Sequence, residues 1–240
     1  MTVKRKLKKI YLALFGKKDY QKAVILCRSR TGSNFLISLL NKQTGVQFTG
    51  EIFRRLKGRN SQDIWNTLFG KKRAKVKVVG FKLFYDHPFD SDDRTVWNNI
   101  DGESNIKIIH LRRKNIVRSI VSKKIAESTD EWVYSEGNKK KAISLDANAV
   151  LTEFKHTQKG ETEARKKYEL GSYLEIIYED LCSNQDTVMQ EVCTFLGMPY
   201  SARPSELKQQ NSESLDTLIT NFDEIKATFA GSEIESLLDQ

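Results

Sequence analysis

Prolines are scarce in this chain, three in 240 residues, and with only thirteen glycines long linkers and low-complexity segments are excluded. No internal repeat is visible. The cysteines, Cys27, Cys182 and Cys193, are odd in number and lack metal-like pairing. Cys27 closes an apolar run and Cys193 sits among apolar residues, so buried thiols in a reducing, cytoplasmic setting are expected. No apolar run reaches the length of a membrane span, and the one near the start, Ile10–Phe15, is also too short for a secretory segment. Carboxylates and histidines form no cluster with metal-ligand spacing, so no metal is expected. No nucleic-acid motif appears and the aromatics are not interleaved with the basic runs, so no nucleic-acid partner is expected either.

What is present is positive charge. The net charge of +9 and pI near 9.3 call for an anionic partner. The first twenty residues form a basic segment, and residues 21–240 read as one domain. Within the segment Val3, Leu7, Ile10, Leu14 and Phe15 share one helical face, with Lys4, Arg5, Lys6, Lys8 and Lys9 around it. Two readings stand: residues 1–18 rest on anionic lipid, at the inner face of a membrane, or they form a solvated tail or a helix packed on its own domain.

Four short apolar runs read as buried strands: Ala23–Cys27, Val76–Leu83, Ile106–Leu111 and Tyr173–Tyr178. Helical patterns separate them, at Phe35–Leu40, Val117–Ile125 and Val188–Leu196, and a further helix is expected over Leu215–Ile225. The polar stretch from Glu127 to Lys167 is expected to hold helices covering one side of the sheet. The alternation implies an α/β fold with a central parallel sheet of four to five strands. Ligands of such sheets bind beyond the carboxyl ends of the strands.

Two of those ends are cationic. After the first strand comes Arg28-Ser29-Arg30-Thr31-Gly32-Ser33-Asn34, leading into a helix whose first N–H groups favour an anion. Arginine in place of the lysine of a triphosphate loop suits a planar grip on phosphate or sulfate oxygens. After the third strand comes Arg112-Arg113-Lys114, followed by a helix carrying Asn115, Arg118, Ser119 and Ser122 on one face. Each turn alone has an ordinary reading, a capped strand-to-helix turn or a solvated basic face. Together they suit a ligand with two anionic groups.

The pair resembles the nucleotide motifs of sulfotransferases that use 3′-phosphoadenosine 5′-phosphosulfate (PAPS). "RTGSNFL" resembles their 5′-phosphosulfate loop, and "HLRRKNIVRSIVSKKIA" their 3′-phosphate motif. The similarity is greatest to bacterial carbohydrate sulfotransferases of the trehalose and nodulation-factor type, and continues through "VVGFKLFYDH", "EIIYEDL" and "VCTFLG". It implies a P-loop-like sulfotransferase fold, PAPS as donor, adenosine 3′,5′-bisphosphate (PAP) as product and a carbohydrate acceptor such as a surface polysaccharide or glycolipid. It further implies that Arg30, Thr31, Gly32 and Ser33 serve the 5′-phosphosulfate, with Arg28 and Asn34 beside them. Arg113 or Lys114, with Ser122, would hold the 3′-phosphate. Lys208 and Gln209 fall where these enzymes bring a basic loop over the donor.

Glu51, in "TGEIFRR", falls where these enzymes place their base; its ordinary reading is a pair with Arg54 or Arg55. His87 is the rival, with an unperturbed pKa of about 6.5. Lys82, a lysine inside a strand, either reaches the transferred group or simply emerges at the strand end. Asp180 reads as a fixer of local backbone, and Trp65, Trp97 and Trp132 as core residues or stacking platforms. The basic residues Arg54, Arg55, Lys57, Arg59, Lys71, Lys72, Arg73 and Lys75 suit an acidic polysaccharide. An ATP-dependent phosphotransferase is the second reading, opposed by the missing lysine after Gly32; a non-catalytic anion-binding module is the third.

Overall fold

The computed structural model describes residues 3–132, 142–203 and 213–240. Five strands, β1 (Gln21–Cys27), β2 (Val46–Thr49), β3 (Val78–Phe84), β4 (Ile106–Arg112) and β5 (Tyr173–Ile177), form one sheet in the order β2-β3-β1-β4-β5. Every pairing is parallel, as expected for apolar runs buried on both faces. Alternate residues of β1 serve the two faces. Ala23, Ile25 and Cys27 pack on the side of α2 (Ser33–Asn41) and α8 (Gln185–Leu196). Val24 and Leu26 pack on the side of α3 (Ser61–Leu68) and α4 (Thr95–Gly102).

The strand order fixes where a ligand goes. From β1 the chain turns toward β2 and β3; from β4 it turns the opposite way, toward β5. The crevice of such a reversal opens between the carboxyl ends of β1 and β4. The two cationic turns leave from those ends.

Four sequence expectations need adjustment. Strand β2 was not anticipated; it is short, and it pairs closely with β3 because Gly80 has no side chain. A Cβ there would sit 2.3 Å from the Phe48 ring. Strand β3 begins at Val78 rather than Val76. Among its described residues, the polar stretch after Glu127 contains one long helix, α6 (Ala147–Tyr168), capped by Asp146, whose Oδ1 accepts from the Ala149 N–H at 2.7 Å. Finally, Leu215–Ile225 is two short helices, α9 (Leu215–Leu218) and α10 (Phe222–Thr228). Between them the Thr220 N–H donates to the Ile143 carbonyl at 2.9 Å, and the Leu218 carbonyl accepts from the Ile143 N–H at 2.9 Å, which diverts the backbone groups a continuous helix would use. With α5 (Ile116–Thr129) and α11 (Glu233–Leu238), these helices close a separate apolar cluster beside the sheet.

Candidate active site

A cleft of about 620 Å³ opens at the β1–β4 crevice. Its floor is the turn after β1. Gly32 takes φ 81° and starts α2 without any side-chain cap, so the first N–H groups of that helix are left for an anion. Tyr178, at the start of α7 (Tyr178–Ser183), lies against Gly32 so closely that a Cβ would fall 2.1 Å from its ring. Gly32→Ala is therefore expected to cost about 2–4 kcal/mol, from a left-handed backbone and an overpacked ring. A denaturant titration giving an unchanged midpoint would overturn this account of the turn.

Arg30 also has a positive φ, 63°, a conformation uncommon outside glycine and frequent at ligand sites. Its Nε donates to Ser122 Oγ at 2.9 Å and its Nη1 to the Trp132 carbonyl at 2.8 Å. Arg113, buried, donates from Nη1 to the Arg30 carbonyl at 3.2 Å, and its guanidinium lies 4.9 Å from the Tyr178 ring centre. Burial first, and then the neighbouring Arg113, lowers the pKa of Arg30. Burial likewise lowers that of Arg113. The buried Nε of Arg113 has no hydrogen-bond partner. Two desolvated guanidinium groups brought this close favour an anion between or beside them.

Other expected ligand residues are placed differently. Arg28 lines the cleft, but its guanidinium is bound to Asp86 and to Glu153, the latter at 2.6 Å; it braces the loop to β3 and α6. Thr31 is buried and donates to the Arg28 carbonyl at 2.8 Å, fixing the turn from behind. Lys114 points away, its Nζ 2.9 Å from Asp180 Oδ1. Asp180 thus holds a side chain, and it is Glu179 whose carboxylate accepts the backbone N–H groups of Lys114 and Asn115. Lys208 and Gln209 lie outside the described residues.

Lys82 is buried in β3, and its Nζ donates to Asn34 Oδ1 at 2.8 Å and to Glu51 Oε1 at 2.9 Å. The ordinary reading of a lysine emerging from a strand end does not hold. Glu51 lines the cleft, with Arg54 Nε 3.7 Å from its other oxygen. His87 stands behind Glu51, its Nε2 3.9 Å from Oε2. Its Nδ1 accepts the Phe84 N–H at 3.2 Å, which puts the proton of the neutral ring on Nε2. Burial pushes its pKa down to about 4, so the ring is neutral near pH 7. With one nitrogen already accepting and the other protonated, His87 is poorly placed to take a proton; it stands behind Glu51, outside hydrogen-bond distance, with its Nε2 unpartnered.

In the outer wall, Trp132 and Arg54 were named from sequence, while Phe89 was missed. Arg54 lies 6.0 Å from the Phe89 ring and 5.9 Å from the Trp132 ring, both about two-fifths exposed. The presence of Arg54 and Arg55 in one cleft was foreshadowed by the basic stretch, but Lys71 and Arg73 of the same stretch lie elsewhere, against the first helix. Trp65 and Trp97 are core residues. Among the described residues no group of three His, Cys, Asp or Glu side chains could hold a metal.

Comparison with known proteins agrees with this architecture. Residues 104–202, which include the β4 turn and Ser122, match the model of the Sulfotransferase family. Nodulation protein H of Rhizobium tropici is 27% identical over 229 residues, covering 87% of this chain and 89% of that protein. Nodulation protein H of Rhizobium meliloti is 24% identical over 229 residues, covering 86% and 90%. The fold is similar to that of a sulfotransferase from Alicyclobacillus acidocaldarius, with a TM-score of 0.51 at 15% identity over 91% of this chain and 95% of that one. Over residues 104–202 and in its fold, this chain is thus similar to sulfotransferases.

Proposed function

We propose that the protein transfers a sulfuryl group from PAPS to a carbohydrate hydroxyl. The observation that carries this reading is the convergence of Arg30, Arg113 and Ser122 with the uncapped start of α2 in one cleft, beside the Glu51–Lys82 pair. The paired desolvated guanidinium groups of Arg30 and Arg113 fit a ligand with separated anionic groups. The start of α2, Ser33 and Arg30 would hold the 5′-phosphosulfate, and Arg113 and Ser122 the 3′-phosphate.

PAPS supplies the sulfuryl group and leaves as PAP with the electron pair of the broken phosphate–sulfate bond. Glu51 accepts the proton of the acceptor hydroxyl as its oxygen bonds to sulfur. Lys82, released from its carboxylate partner by that proton, turns its charge to the departing phosphate oxygen. Asn34 keeps the ammonium in place meanwhile. Phe89 and Trp132 offer flat apolar walls to a sugar ring.

The test is selective stabilisation. PAP should raise the melting temperature more than ATP or Mg-ATP at equal concentration. Equal or absent shifts would overturn the reading.

A further inference from the structure

The cleft does not account for the first helix. α1 (Val3–Phe15) exposes Leu7, Ile10, Tyr11, Leu14 and Phe15, each 47% to 71% accessible. Leu7, Ile10 and Leu14 recur at three and four residues and so form one stripe. Leu12, on the opposite side of the helix, is the apolar side chain turned partly inward. The helix is held in this orientation. Lys17 and Lys72 exchange both backbone hydrogen bonds at 2.8 Å, Lys71 Nζ donates to the Ala13 carbonyl at 2.8 Å, and Arg73 lies 5.7 Å from the Tyr11 ring centre. A helix packed on its own domain would turn the stripe inward; this one turns it out.

Charge identifies what covers the stripe. Residues 1–18 contain seven lysines and arginines and no aspartate or glutamate. A second copy of this chain would bring two such clusters together against their own repulsion. A bilayer surface with anionic headgroups meets both demands, taking the apolar stripe at the acyl boundary and the cations among the phosphates. At thirteen residues the helix is about 20 Å long, and no described helix is long and apolar enough to cross a membrane. We infer that α1 docks the protein peripherally on an anionic bilayer, lying in its plane. The docking edge is the amino-terminal edge of the sheet, where Lys17 leads into β1, and the cleft opens at the other edge.

The experiment is co-sedimentation of the full chain with vesicles of phosphatidylcholine alone or mixed in equal parts with phosphatidylglycerol. The parent should partition onto the mixed vesicles roughly tenfold better than onto phosphatidylcholine, and added salt should weaken it. The double substitution Ile10→Asp and Leu14→Asp should lower that partition by about tenfold or more. Because both side chains are exposed, its melting temperature and its stabilisation by PAP should match the parent's. A parent that stays in the supernatant, a double variant that sediments as well as the parent, or a dimer abolished by the same substitutions would each overturn the inference. Failure here leaves the PAP response untouched, and failure of that response leaves vesicle partition untouched, so the two readings are tested separately.

Discussion

Glu51→Gln is expected to lower kcat by about a thousandfold while PAP still stabilises the variant, measured against the variant's own melting temperature. The amide keeps the shape of the side chain and its hydrogen-bond reach to Lys82, but its oxygen no longer takes a proton. Lys82 then holds its charge without the exchange that frees it for the leaving phosphate, so both roles fail together. The companion is His87→Asn, expected to cost on the order of tenfold through altered packing behind Glu51 alone. That ring already accepts the Phe84 N–H and is neutral at physiological pH. If His87→Asn abolishes turnover and Glu51→Gln does not, the assignment of the base is wrong.

Arg113→Ala is expected to weaken PAP binding about a hundredfold in a calorimetric titration, and Lys114→Ala by no more than about threefold. The two side chains are neighbours in sequence and opposites in space. Arg113 is buried against Tyr178 with its guanidinium turned to the cleft and the Arg30 carbonyl, whereas Lys114 forms an exposed pair with Asp180. Arg113→Lys should restore little, since an ammonium presents no fork of donors. A reversed ranking of the two alanine variants would move the 3′-phosphate contact to Lys114.

Which of these residues could be read from sequence follows from the range of the interactions that place them. Strands β1, β3 and β4 are visible because burial on both faces leaves largely apolar runs, and β5, a half-buried edge strand, because apolar pairs flank its Glu175. Strand β2 is four residues long, and what defines it is its fit against Gly80 on another strand. Helix α6 hides because its inner face is partly polar, with Glu161 buried against Arg112 at 2.7 Å. At the site, Arg30, Gly32 and Ser33 announce themselves by position at a strand end, Lys82 as a charge inside a strand, and Ser122 on the helix that follows the second cationic turn. The diversion of Arg28 does not, because its partner Glu153 is 125 residues away. Nor does the choice between Arg113 and Lys114. Successive side chains at the end of β4 point different ways, so Arg112 goes to Glu161, Arg113 to the cleft and Lys114 to Asp180.

The seven residues of β1, rising about 3.3 Å each, separate the edge that carries α1 from the edge that carries the cleft by roughly 23 Å. With α1 on a bilayer, that strand is a ruler. A single sugar on a lipid of the same leaflet would stop short of Glu51, while a glycan several units long would reach it. Acceptor length, and not only acceptor chemistry, then becomes a selected property.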